Sequence, residues 1–183
     1  AADFASGISY APDQLWQSVS DSVVDDAADR IHVQAKETRL FDIHETLLLR
    51  TLSQAPLEFT DAAAQPLIMT LPAPDGSFQR CEVVEAPVIA AELAKKFPSI
   101  KTYRGIGLDD PTSTVRMDIT NHGFHAQVLS TQGTWMVDPY FHLETEFYAS
   151  YQTTDAIQQQ VNQRFVELGV FGHGGEHEHD DEH

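Results

Sequence analysis

The sequence has a single cysteine, few basic residues and no long apolar run. Cys81 is the only cysteine in 183 residues, which excludes an internal disulfide framework and a cysteine-rich zinc module. No run approaches the roughly 18 apolar residues of a membrane-spanning helix. The 11 basic residues are outnumbered by 28 acidic ones, and the formal net charge is −17. This charge works against binding to nucleic acids and anionic membranes, because both are polyanionic.

The composition is that of a folded domain. Hydrophobic residues make up 42% of the chain and aromatic residues 9%, which is enough to build a buried core. The length suits one domain with extensions at its ends. The first residues, Ala1 to Gly7, lack the basic and apolar parts of a signal peptide. Such a start is typical of a chain from which a signal peptidase has removed the signal peptide, or of a sequence numbered from an internal residue. On the first interpretation, we expect a secreted or periplasmic location.

Short runs rich in β-forming residues alternate with turns through most of the chain. Asp75-Gly76 and Asn121-His122-Gly123 separate consecutive runs and indicate tight hairpins, because glycine tolerates positive φ. Sequential strands joined by short turns favour an antiparallel sheet. The predicted strands cover residues 31–33, 39–43, 67–71, 78–84, 100–106, 114–120, 124–130, 134–137 and 147–151.

Four segments have apolar residues at helical spacing, namely residues 12–23, 44–52, 90–97 and 155–168. The fold class predicted from all these elements is α+β, a mainly antiparallel sheet with a few packed helices. The predicted organisation is an N-terminal extension (1–30), an α+β domain (31–151), a C-terminal amphipathic helix (152–170) and a tail rich in His, Asp and Glu (171–183).

The motifs of common hydrolases are incomplete. A zinc metalloprotease helix needs two histidines one turn apart, but the run that begins at His44-Glu45 has Leu48 in the second position, and the run that begins at His177-Glu178 has Asp181 there. The chain has no Gly-x-Ser-x-Gly elbow and no phosphate-binding loop. We therefore predict that the chain is not an enzyme and needs no cofactor.

Several single residues favour structural roles over catalysis. Cys81 lies in a strand-like run and is expected to be a small buried apolar residue, with a thiol pKa raised by Glu82 and Glu85. Asp109-Asp110-Pro111 and Asp138-Pro139 each follow a strand, where aspartate usually shapes a turn. His122 in a turn and His125 on a strand are expected to be solvated or hydrogen-bonded histidines rather than metal ligands.

The C-terminal tail combines imidazoles with carboxylates. Together these groups bind zinc, nickel or copper, and carboxylates alone bind calcium weakly, so we predict weak metal affinity for the tail. A solvated acidic tail without a specific site is the alternative. The candidate metal ligands are His173, His177, His179, Asp180, Asp181 and His183.

A series of motifs between residues 35 and 151 resembles the propeptide region of secreted bacterial reprolysin-like (adamalysin-type) zinc metalloproteases. Each motif alone is weakly specific, but their order and spacing are specific together. The matching segments are Leu40-Phe41-Asp42, Ala55-Pro56-Leu57, residues 71–78, residues 91–103, residues 105–111, Thr114-Val115-Arg116, residues 123–126 and Asp138-Pro139-Tyr140.

The resemblance implies a non-catalytic propeptide-like domain that assists folding of a metalloprotease and inhibits it by covering the cleft. The catalytic domain of that protease is then the partner. The chain lacks the cysteine-switch motif of related eukaryotic enzymes near its C-terminal end, so inhibition by a thiolate on zinc is not expected.

Two other functions remain open at this point. The same fold is also suited to an extracellular assembly subunit, which would form homo-oligomers through the C-terminal helix and the metal-binding tail. A metal-buffering protein that uses only the tail is a further alternative.

Overall fold

The computed structural model describes residues 8–20, 22, 31–88, 95–142 and 144–156. Strand accounts for 48% of the structure and helix for 11%, and the described residues contain one α-helix. The α+β prediction is therefore wrong, because the fold is a curled antiparallel sheet, a half-barrel, rather than a sheet with several packed helices.

From residue 101 onward, the strands follow one another with short connections. The α-helix α1 (Glu45–Leu52) and a short 3-10 helix (Asp61–Ala64) interrupt the series of strands. The nine strands are β1 (Trp16–Val19), β2 (Arg39–Ile43), β3 (Leu67–Pro72), β4 (Phe78–Glu85), β5 (Lys101–Gly107), β6 (Thr114–Thr120), β7 (Gly123–Ser130), β8 (Gly133–Pro139) and β9 (Phe147–Gln152).

All nine strands belong to one sheet in the order β1-β2-β9-β8-β7-β6-β5-β4-β3, and every neighbouring pair is antiparallel. From β3 to β9 each strand pairs with the next one along the chain. The two hairpins predicted from Asp75-Gly76 and Asn121-His122-Gly123 are confirmed, and Gly76 and Gly123 have φ values of 87° and 107°. A residue with a Cβ is strained at such angles, which explains glycine at both positions.

The inner face of the curled sheet carries the main core. Alternate residues of each strand point inward, so Phe124, Ala126 and Val128 of β7 meet Trp135 and Val137 of β8. The helix α1 adds Leu48 and Leu52 to the same core. This helix follows β2 directly, so it lies at the end of the sheet where β9 begins. The described residues leave the opposite end of the half-barrel open.

A second, smaller core covers part of the outer face. Val33, from the segment before β2, packs against Leu40, Ala149 and Tyr151, which project outward from β2 and β9. Backbone bonds fix this segment, since the N–H of His32 donates to the carbonyl of Tyr140 at 2.8 Å. Ile31 forms only an isolated bridge with Phe141, so the strand predicted over residues 31–33 is wrong.

Side chains protect the free edge of β3. The carboxylate of Asp13 accepts the N–H of Thr70 at 2.7 Å, and the indole N–H of Trp16 donates to the carbonyl of Thr70 at 3.0 Å. The hydroxyl of Ser150 donates to the carbonyl of Pro72 at 2.8 Å. Pro72 itself has no N–H that a further strand could bind. The three side chains and this proline thus occupy the hydrogen-bonding positions where another strand would pair with β3.

The N-terminal segment departs most from its prediction. Residues 16–19 form the strand β1 instead of part of a helix over 12–23, because Leu15 and Trp16 enter the core while the backbone pairs with β2. Strand β1 therefore belongs to the sheet, although residues 1–30 were predicted as an extension. The predicted helix 90–97 lies largely, and the predicted helix 155–168 almost wholly, outside the described residues.

Candidate functional site

The residues predicted to bind metal lie outside the described part of the chain, as all six belong to residues 173–183. Within residues 8–20, 31–88, 95–142 and 144–156, no three His, Cys, Asp or Glu side chains come together in a group suited to a metal ion. In the same part of the chain, no helix is both long enough and apolar enough to cross a membrane.

Cys81 is buried on the inner face of β4, as predicted. Only 2% of the residue is exposed, and its thiol donates to the carbonyl of Met69 at 3.6 Å. Desolvation raises the pKa of the thiol to about 12, with smaller contributions from the charges of Asp13 and Asp109. The predicted direction of the pKa shift is confirmed, but its cause is burial rather than Glu82 and Glu85. A protonated, enclosed thiol is a poor nucleophile and a poor metal ligand.

The pair Asp109-Asp110 shapes and fastens the turn between β5 and β6. The Asp109 carboxylate accepts the backbone N–H of Arg80 at 2.6 Å and pairs with its guanidinium, and these bonds lower the pKa of Asp109. The Asp110 carboxylate accepts the N–H and hydroxyl of Thr112. Both acids act structurally, as the turn prediction implies.

Asp138 belongs to a buried polar cluster rather than to a turn. It lies within β8, is 4% exposed, and accepts hydrogen bonds from Tyr151 Oη at 2.7 Å and His125 Nδ1 at 2.8 Å. The prediction of a turn is therefore wrong for this residue. The carboxylate fixes the imidazole of His125, whose side chain is 20% exposed. Among the described residues, no serine, threonine or cysteine is hydrogen-bonded to this histidine.

Sequence reasoning missed this cluster because its members meet through strand register. Ala126 of β7 pairs with Val137 of β8, which places His125 beside Asp138 on the outer face. On the opposite edge of β8, Met136 pairs with Tyr151 of β9, which brings Tyr151 near Asp138 on the same face. The dipeptide Asp138-Pro139 gives only a local signal, and that signal favours a turn.

Phe59 is the most exposed large apolar side chain of the described residues, at 87%. Its backbone has φ 61°, in the left-handed region that bulky residues rarely adopt. Such a conformation costs on the order of 1–3 kcal/mol and persists only where the surroundings impose it. A strained backbone that displays an aromatic ring to solvent points to a partner for that ring.

The loop that carries Phe59 is fixed on both sides of the aromatic ring. Leu57 forms a parallel bridge with Glu85, and the N–H of Glu58 donates to the carbonyl of Glu85 at 2.9 Å. The hydroxyl of Thr60 donates to the carbonyl of Leu57 at 2.6 Å. These bonds hold the backbone in one conformation while leaving Leu57 47% exposed beside Phe59.

Arg104 of β5 positions the ring itself. Its guanidinium lies 5.1 Å from the centroid of Phe59, and its Nε atom pairs with the Glu58 carboxylate at 2.7 Å. The cation–π contact contributes roughly 0.5–1 kcal/mol at an exposed site. We call Leu57, Glu58, Phe59 and Arg104 the Phe59 surface. Its sequence signal is weak, since one aromatic residue in a polar loop is common.

Comparisons with known proteins give no match: no family model, no curated protein and no solved structure is similar to this chain.

Proposed function

We propose that this chain is a non-catalytic, propeptide-like domain of a secreted zinc metalloprotease, and that it inhibits the protease by covering its cleft. The series of motifs from residue 40 to residue 140 supports the choice of partner by resemblance. The observation that carries the docking role is the Phe59 surface, where a strained backbone displays an aromatic ring.

The energetics of Phe59 favour a binding role. An exposed phenylalanine forgoes about 1.5–3 kcal/mol of burial, and its backbone adds a further cost. A partner that encloses the ring recovers the burial term. Because the loop is already fixed by Glu85 and Arg104, binding loses little conformational entropy. Pre-ordered aromatic side chains of this kind commonly dominate protein interfaces.

The sheet gives the surface a rigid support. Strands β4 and β5, which carry Glu85 and Arg104, are each paired with a neighbouring strand on both sides. A folded domain with such a support also acts as a template on which a partner domain folds. This is the physical basis of the proposed folding assistance.

An inhibition assay tests the proposal. Purified chain is added to the catalytic domain of an adamalysin-type metalloprotease encoded with it, and hydrolysis of a peptide substrate is measured. We expect inhibition at micromolar concentrations, and at least about tenfold weaker inhibition by F59A. The matched control is Y10A, which truncates another aromatic side chain, 62% exposed, beside β1.

Two results would overturn the proposal. The first is full protease activity in the presence of excess wild-type chain. The second is hydrolysis of the peptide by the purified chain alone, which would require a catalytic centre in the propeptide-like domain itself. Equal loss of inhibition in F59A and Y10A would leave the domain an inhibitor but remove Phe59 as its anchor.

A further inference from the structure

The open end of the half-barrel contains a cavity of about 360 Å³. This volume lies at the lower end of the range for small-ligand pockets, which often occupy the mouths of β-barrels. We call it the mouth pocket. Four strands of the inner face contribute the buried apolar side chains of Leu71, Val115, Val128 and Trp135 to its lining, and most of the other lining residues are polar.

The acidic side chains at the rim are already engaged within the protein. The Asp75 carboxylate accepts the N–H of Ser77 at 2.9 Å and its hydroxyl at 2.6 Å, and these bonds lower the pKa of Asp75. Asp109 is paired with Arg80, and Asp110 with Thr112. The guanidinium of Arg80 is likewise occupied by Asp109. The rim carboxylates and the guanidinium of Arg80 are therefore already engaged with one another or with neighbouring hydroxyl and N–H groups.

Neutral amides provide the open hydrogen-bonding capacity of the pocket. Within the described part of the chain, the side-chain amides of Gln132 and Gln152 form no hydrogen bond, and both line the cavity. Each amide offers two N–H donors and one carbonyl acceptor. Peptide groups present the same donors and acceptors, so amide side chains of this kind match a peptide backbone.

We propose that the mouth pocket binds a peptide segment, with an uncharged aliphatic side chain against the apolar lining and its flanking peptide groups bonded to Gln132 and Gln152. Leu71, Val115 and Val128 favour an aliphatic group over a sugar, whose hydroxyls would face carbon atoms there. This inference does not depend on the proposed function, because the pocket and the Phe59 surface use different residues.

A titration with N-acetyl-L-leucine N-methylamide tests the pocket. The Trp135 indole N–H signal in ¹H–¹⁵N NMR spectra reports on binding at the pocket, and Trp16 in the core serves as the internal reference. We expect a saturable shift of the Trp135 signal with low-millimolar affinity, as befits a ligand of this size. N-acetyl-L-leucine, its carboxylate analogue, should bind more weakly, because its carboxylate has no N–H to donate to an amide side chain and three aspartates line the rim.

Two variants distinguish the loss of an amide contact in the pocket from the effect of removing a glutamine side chain elsewhere. Q152A should weaken binding at least about threefold, since it removes one amide partner. The control is Q127A, whose side chain lies on the outer face of β7. The absence of a saturable shift up to about 20 mM would overturn the inference, as would equal binding of the carboxylate analogue. Saturable binding of methyl β-D-glucoside at the same signal would assign the pocket to sugars instead.

Discussion

Cys81 shows how burial controls the chemistry of a single residue. Its thiol lies on the inner face of β4, and desolvation raises its pKa from 9.0 to about 12. Burial also raises the pKa values of Tyr103 and Tyr148 from 10.0 to about 12. In each case the folded chain prefers the neutral form, so ionisation must favour the unfolded chain.

We predict that the chain loses stability as the pH rises from about 9 to about 12. A group with a raised folded pKa stabilises the fold fully below its unfolded pKa, and this contribution is lost as the pH rises through the folded value. Cys81 acts first, since its unfolded pKa is the lowest of the three. Urea unfolding at a series of pH values measures the effect, and C81A should flatten the decline near pH 9. An unchanged slope in C81A would contradict this assignment.

The Tyr151–Asp138 bond gives a second prediction at the residue scale. Y151F removes a hydrogen bond of 2.7 Å to a buried carboxylate, and we expect a loss of about 1.5–3 kcal/mol in the free energy of unfolding. The matched control is Y103F, because the Tyr103 hydroxyl has no hydrogen bond within the described residues. Urea unfolding measures the free energy of unfolding of both variants. Equal losses in Y151F and Y103F would show that the Tyr151–Asp138 hydrogen bond adds no stability.

At the scale of elements, the sequence predicts strands well because their signals are local. The turn residues Asp75-Gly76 and Asn121-His122-Gly123 indicate where chain direction reverses, and the alternation of Phe124, Ala126 and Val128 indicates the inner face. Strands β3 to β9 and the helix α1 lie where the pattern places them to within one residue, apart from the C-terminal end of β8, which is two residues longer.

The wrong predictions have a common cause. The structure of these segments depends on residues that are distant in the sequence. Leu15, Trp16 and Val19 have spacings that suit a helix, and only pairing with β2 makes the segment a strand. Asp138 likewise acquires its role from His125 and Tyr151 through register. The Phe59 surface was not predicted because its significance lies in a backbone angle, which the residue types do not reveal.

The protected edge of β3 leads to a prediction for one element. D13A leaves the N–H and the hydroxyl of Thr70, a residue only 3% exposed, without their acceptor. We expect a loss of about 2–4 kcal/mol in the free energy of unfolding, because two buried donors become unsatisfied. D61A in the exposed 3-10 helix is the control and should change stability by less than about 0.5 kcal/mol. Equal losses of stability in D13A and D61A would mean that the bonds from Asp13 to Thr70 do not stabilise the edge of β3.

At the scale of the whole molecule, the nine strands form one continuous sheet. The two ends of the strand order, β1 and β3, approach each other closely enough for Trp16 to bond Thr70. The sheet thus closes on itself through side chains, with the Phe59 surface on one side and the mouth pocket at the open end. Partner binding and metal binding are then expected to reside in different parts of the chain.

A truncation after Ala156 separates binding of the protease from binding of metal. All nine strands and the Phe59 surface precede residue 156, so we expect the truncated chain to keep the sheet and its inhibition of the protease. It should lose the zinc binding predicted for His173 to His183, as measured by titration calorimetry. An assembly subunit would behave differently, because zinc-dependent oligomers of the full chain, seen by light scattering, would disappear on truncation. Retained zinc binding would contradict the assignment of metal affinity to the tail.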